Sequence, residues 1–194
     1  MKIPDPACID DEIVDRFPAP RRDFIRRAVP KPAAESYAAG LLLLQILDIR
    51  SDYDIRLTDR GKPYMADGSC FFSLSHSSSF AVLAVAPTEI GVDTERVRPL
   101  GDSLIRKVFR AEEKDFINKD PEKNPVILWT RLEAMLKLSG EGLSGMDNRS
   151  TPLICNSEKC YYNSFDYGDS VISTACEEDL PVFLETVTWL QKDH

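Results

Sequence analysis

The stretch Ile90-Gly91-Val92-Asp93-Thr94-Glu95 closes an apolar run with two acids two residues apart. In a strand, residues i and i+2 point to the same side. Asp93 and Glu95 are therefore predicted to project together. Paired carboxylates repel unless a cation or a proton sits between them. A hard divalent ion such as Mg2+ suits such a pair, because it takes carboxylate oxygen and leaves positions for phosphate and water. Further along, Trp129, Glu133 and Lys137 are spaced i, i+4, i+8 and share one helical face. That face adds a third carboxylate for the metal and an ammonium for a phosphate. The combination points to phosphoryl-type transfer, in which positioning and charge neutralisation do most of the catalysis. Either segment alone is better explained as a strand end or a solvated charged face.

The chain has 194 residues, room for one domain or two small ones. The longest apolar stretch, Ala38 to Leu44, stops at Gln45, too short to span a bilayer. The start carries Asp5, Asp10, Asp11 and Glu12 and lacks a basic-then-apolar signal pattern, so a cytoplasmic protein without membrane attachment is expected. Five cysteines without a C-x-x-C pair, and two histidines of which His194 is terminal, argue against a zinc site. Net charge −8 argues against a nucleic-acid binder. An acidic chain that takes a polyanion needs a local basic cluster. Arg21, Arg22, Arg26, Arg27 and Lys31 supply one, and equally fit a solvated helix start.

Helices are expected over Asp23 to Ala28, with Pro30-Lys31-Pro32 breaking the chain, and then over Ala33 to Leu47. Gly61, Pro63 and Gly68 punctuate loops and short strands. Phe71 to Ser73 and Phe80 to Ala86 read as neighbouring strands joined by a Ser75-to-Ser79 turn, with a third strand over Ile90 to Glu95. Short helices follow over Ser103 to Val108 and Ala111 to Ile117. The motif helix, Val126 to Ser139, is ended by Gly140 and Gly142. Residues 151–194 read as strands and turns. A weak echo links Ser77–Val82 and Ile90–Val92 to Ser164–Ser173 and Pro181–Leu184, too slight to claim as a repeat.

Four ordered motifs carry a resemblance. Gly61-Lys62-Pro63-Tyr64 precedes Phe72-Ser73-Leu74-Ser75-His76-Ser77, then comes Ile90 to Glu95, then Trp129-Thr130-Arg131-Leu132-Glu133-Ala134-Met135 with Lys137. The set, from about Gly61 to Leu143, resembles the 4'-phosphopantetheinyl transferases of the surfactin-synthetase-activating type. The resemblance implies an α+β fold of two similar α/β halves related by a pseudo-twofold, with the cofactor in the cleft between them. The boundary is placed near residue 97, giving halves 1–97 and 98–194. It implies transfer of the 4'-phosphopantetheine arm of coenzyme A to a serine of an apo acyl or peptidyl carrier protein, with release of adenosine 3',5'-bisphosphate. It implies Mg2+ held by Asp93, Glu95 and Glu133, and a monomeric protein.

Further roles follow from the same match. Lys137 corresponds to a lysine facing the phosphates, Ser75 and His76 to phosphate contacts, and Lys62 to the segment lining the nucleotide. Glu133, or a water held by it, is the candidate base. Glu113 is a candidate extra ligand or base, or simply a charge suited to a helix start. Two departures stand out. Leu132 replaces the family lysine before the motif glutamate. The basic residue that usually opens the preceding long helix is here Glu35 or Ser36, which shifts the 3'-phosphate contact to Arg26, Arg27 or Lys31. These departures keep open a second hypothesis, a catalytically weakened coenzyme A-binding homologue. A Mg2+-dependent nucleotide hydrolase is disfavoured because the chain has no G-x-x-x-x-G-K-(S/T) loop.

Overall fold

Helix α6, Asn124–Ser139, is the beam on which the C-terminal part is built. Pro125 fits its first turn, where an N–H would lack a partner anyway. Gly140 ends it in the left-handed region, φ 69°. Its buried stripe of Leu128, Leu132, Ala134, Leu136 and Leu138 packs with Phe109, Ile117, Leu153, Tyr162 and Ala175. The computed structural model describes residues 1–49, 51–77, 79–142, 146 and 149–188. Ser78, Leu143 and 189–194, which figure in the sequence reading, lie outside them.

The elements run α1 (Asp11–Val14), α2 (Ala19–Arg27), α3 (Pro30–Ile46), β1 (Ile55–Leu57), β2 (Pro63–Met65), β3 (Phe71–His76), β4 (Ala81–Ala86), β5 (Ile90–Arg96), α4 (Asp102–Val108), α5 (Ala111–Ile117), α6, β6 (Tyr161–Tyr167) and β7 (Ser170–Cys176). The chain is thus α+β, with helices packed on small antiparallel sheets. The sheets are β1-β2, β3-β4 and β5-β7-β6. Helix α3 is buried over most of its length and forms one core with Val14, Phe17, Ile25 and Phe72.

Several expectations are corrected. The expected break after the first helix falls at Ala28-Val29, but Pro30-Lys31-Pro32 opens α3 instead of preceding a helix from Ala33, because a proline is tolerated at a first turn. The expected third strand is β5, whose partner the sequence does not name; it pairs with β7 in the register Asp93↔Ser173 and Glu95↔Val171. His76 is not in a turn but closes β3, opposite Ala81. Residues 177–188 form no strand or helix, so the echo fails in its second half.

Two features fix α6 on its sheet. Gly91 of β5 is one: a Cβ there would stand 1.9 Å from the Ala134 carbonyl oxygen of α6. Only glycine permits that approach. The other is a chain of hydroxyls, two of them buried. Thr130 Oγ1 lies 2.7 Å from Ser173 Oγ, which lies 3.0 Å from Ser164 Oγ. Arg131 Nε donates to Ser164 Oγ at 2.9 Å, and its Nη1 donates to the Leu153 carbonyl at 2.8 Å. Among the described residues, no helix is long and apolar enough to cross a membrane.

Candidate active site

Strand alternation sets Gly91, Asp93 and Glu95 on the side of β5 that meets α6. The absent side chain at Gly91 lets the helix come close enough for Lys137 to reach the strand. Its Nζ donates to Asp93 Oδ1 at 2.8 Å, Ser75 Oγ at 2.9 Å and the Val92 carbonyl at 3.0 Å. All three ammonium donors are engaged. Ser75 Oγ also donates to Asp93 Oδ1, at 2.8 Å. The neighbouring Ser73 Oγ accepts the Val92 N–H at 3.1 Å, joining β3 to β5 through a side chain rather than a ladder.

Asp93 is buried, and its second oxygen, Oδ2, has no hydrogen-bond partner. A buried anionic oxygen without a donor is costly. Burial, then the Asp93 charge, raises the Glu95 carboxyl above its ordinary value. Burial followed by Asp93 does the same to Glu133, with Glu95 adding to it and Lys137 opposing. The three acids therefore feel one another's field. Among the described residues, however, no three acidic, histidine or cysteine side chains gather tightly enough to hold a metal ion. The donor chemistry suits a hard cation, since carboxylate oxygens are available and one is unpartnered.

A cleft of about 310 Å3 opens beside this cluster, lined by Arg21, Lys62, Phe72, Leu74, Glu133 and Lys137 among others. His76 is half-exposed, with Nδ1 3.5 Å from Glu35 Oε2. Burial lowers its pKa; Glu35 pulls it back up, while Lys137 and Arg21 push it further down. A larger cavity of about 420 Å3 lies under residues 178–184 and is mostly apolar, including none of the three acids.

The remaining expected residues fall elsewhere. Glu113 is wholly buried in α5, where Arg149 grips both its oxygens, Nη2 to Oε2 at 2.7 Å. The N–H groups of Leu153 and Arg110 donate to it at 3.2 and 2.8 Å. Burial alone would raise its pKa, but Arg149 and the two backbone donors outweigh that and hold it below the ordinary value. With both oxygens taken, Glu113 is a structural ion pair rather than a ligand or base. Arg26 pairs with Asp15, and Lys31 is exposed and 4.0 Å from Glu35; neither lines the cleft. Lys62 does line it, but its Nζ is spent on Glu89 and, at 2.8 Å, on the Leu138 carbonyl. Leu132 is fully buried in the core. The sequence alone does not distinguish Arg21 or Ser73 as site residues. The basic run on α2 marked the region, but only α2's packing on α3 shows which arginine turns inward.

Residues 89–178, the segment holding the acids and the lysine, match the 4'-phosphopantetheinyl transferase superfamily. The chain belongs to that superfamily, and within it to the surfactin-synthetase-activating type. It is 32% identical to the 4'-phosphopantetheinyl transferase HetI of Nostoc sp. over 142 residues, 68% of this chain and 57% of that protein. It is 28% identical to the 4'-phosphopantetheinyl transferase gsp of Aneurinibacillus migulanus over 129 residues, 62% of this chain and 54% of that one. It is 27% identical to the 4'-phosphopantetheinyl transferase Sfp of Bacillus subtilis over 135 residues, 64% of this chain and 60% of the relative. The matched part thus spans 54 to 60% of the length of these relatives.

Proposed function

We propose that the chain transfers the 4'-phosphopantetheine group of coenzyme A to a serine hydroxyl of an apo acyl or peptidyl carrier protein, using Mg2+, and releases adenosine 3',5'-bisphosphate. The observation that carries this reading is the buried, partnerless Oδ2 of Asp93 beside the Lys137 ammonium, at a cleft that also holds Glu133. The order of the four motifs and the printed names of the relatives support it.

In the reaction, the serine oxygen bonds to the phosphorus that carries pantetheine, and the bond from that phosphorus to the bridging oxygen breaks. Asp93, Glu95 and Glu133 would hold the metal, which when bound supplies charge neutralisation on the diphosphate. Glu133, or a water held by it, is the proposed proton acceptor for the serine. Lys137 keeps Asp93 in place and offers positive charge at the cleft wall. Ser75 and His76 border the same cluster. The two halves, 1–97 and 98–194, each set a long helix on an antiparallel hairpin, α3 on β3-β4 and α6 on β6-β7, which supports the pseudo-twofold proposal. A monomer in the cytoplasm completes the reading.

A second reading, a weakened coenzyme A binder, draws support from the three acids' failure to gather among the described residues. One experiment separates them. The chain is incubated with coenzyme A, Mg2+ and apo carrier proteins, and the carriers are weighed. A mass gain of one phosphopantetheine, lost in Asp93→Ala, supports transfer. Coenzyme A binding without a gain on any carrier selects the second reading.

A further inference from the structure

Consecutive residues of β5 are held by different partners. Gly91 lies against the backbone of α6. Val92 donates its N–H to Ser73 Oγ at 3.1 Å, and its carbonyl accepts from Lys137 Nζ at 3.0 Å. Asp93 is bound by Ser75 and Lys137 through Oδ1 alone. Strands β3 and β5 belong to different sheets. At Val92 a serine hydroxyl and a lysine ammonium therefore stand where a neighbouring strand would offer a carbonyl and an N–H.

Ser73 is itself firmly placed. Its backbone sits in the β3-β4 ladder opposite Ala84, its side chain is buried, and it lines the cleft beside Glu133 and Lys137. Val92 is wholly buried and packs with Phe80 and Ile172. A buried N–H that loses its acceptor is costly, so without the Ser73 hydroxyl the strand must shift to find another. Such a shift draws the Val92 carbonyl off Lys137 and turns the next residue, Asp93, whose Oδ2 has no partner. Among the described hydrogen bonds, Ser73 touches neither Asp93 nor Lys137, and it brings no charge to the cleft.

Resting on the transfer reading above, we infer that Ser73 is a positioning residue of the reaction: through Val92 it fixes where the Lys137 ammonium and the free oxygen of Asp93 stand. Ser75 acts on that pair directly. Ser73, two residues back on the same face of β3, acts on the main chain that carries it. Turnover, which depends on alignment, requires the Ser73 hydroxyl; coenzyme A affinity, which rests on the cleft as a whole, does not.

Three measurements on the full chain test this: calorimetric titration with coenzyme A, steady-state transfer to an apo carrier protein with Mg2+, and melting of Ser73→Ala, Lys137→Met and the double variant. Ser73→Ala is expected to lose roughly 10- to 100-fold in kcat, the scale of a small misalignment, with KM and coenzyme A affinity within about twofold of the parent. Ser73→Thr, which keeps the hydroxyl, recovers most of that turnover. Both Ser73 and Lys137 hold Val92, so the two melting losses should fall short of additive in the double variant, by about 2 °C or more. If Ser73→Ala melts below the assay temperature, Ser73→Cys, a weaker acceptor of similar size, carries the test with smaller losses in the same pattern. Lost coenzyme A affinity with kcat kept makes Ser73 a ligand contact and overturns the assignment. An unchanged kcat or fully additive melting losses do the same, and each of these results leaves the transfer reading intact. A parent that modifies no carrier overturns both.

Discussion

Gly91→Ala is the sharpest probe of how the fold makes the site. The added Cβ would lie 1.9 Å from the Ala134 carbonyl oxygen and 2.6 Å from the Leu138 nitrogen, both backbone atoms that cannot rotate away. Ordinary contact begins near 3.4 Å, so strand and helix must part by about 3.4 − 1.9 = 1.5 Å. Lys137 rides on that helix, and its 2.8 Å bond to Asp93 would stretch beyond hydrogen-bonding range unless the side chain compensates. Overpacking of this kind costs about 1–3 kcal/mol, and weakening a buried ion pair adds to it. For a chain of this length each kcal/mol is worth roughly 2–4 °C, so the overpacking alone is expected to lower the melting temperature by roughly 2–12 °C. The proposed transfer to a carrier should fall with it, measured at a temperature where circular dichroism shows the variant folded. A variant that melts within a degree of the parent and transfers at the same rate would show that β5 and α6 are not in this close contact.

Two further substitutions probe other parts of the fold. Glu113→Gln removes the charge that neutralises buried Arg149 and is expected to cost about 3–5 kcal/mol at neutral pH. The folded pKa of Glu113 lies below its ordinary 4.5, so its contribution is complete above that pH and fades as the pH drops through the folded value. The melting-temperature gap between parent and variant should therefore be full at pH 7 and shrink below about pH 4.5; a gap independent of pH would remove the ion pair from the account. Leu132→Lys restores the residue that relatives are expected to carry, but at a fully buried position. A loss of several kcal/mol is expected, roughly 4 or more. Unchanged thermal melting would mean that position 132 faces solvent.

The motif segments were legible because their chemistry is local. The i, i+2 acids of β5 and the i, i+4, i+8 face of α6 are set by one element's period, and both are as the spacing predicts. What the sequence left hidden is long-range. Nothing in Ile90–Arg96 names β7 as its partner across some 75 residues of chain, so the sequence leaves the neighbour of β5 unassigned. Glu113 read as a possible base because its partner, Arg149, lies 36 residues away and belongs to no motif. Five basic residues between 21 and 31 looked interchangeable. Burial against Ser36 distinguishes Arg21, whereas Arg26 and Lys31 stay near solvent and close to local acids.

The hydroxyl chain behind α6 has a consequence for how the proposed catalytic face is aimed. Leucine packing resists separation of a helix from a sheet but tolerates rolling about the helix axis. The bonds from Thr130 to Ser173 and from Arg131 to Ser164 are directional and fix the roll angle. Glu133 and Lys137 inherit their bearing from them. A change at Ser173, which stands opposite Asp93 in the β5–β7 register, would therefore blunt the proposed chemistry by misdirecting Glu133 and Lys137.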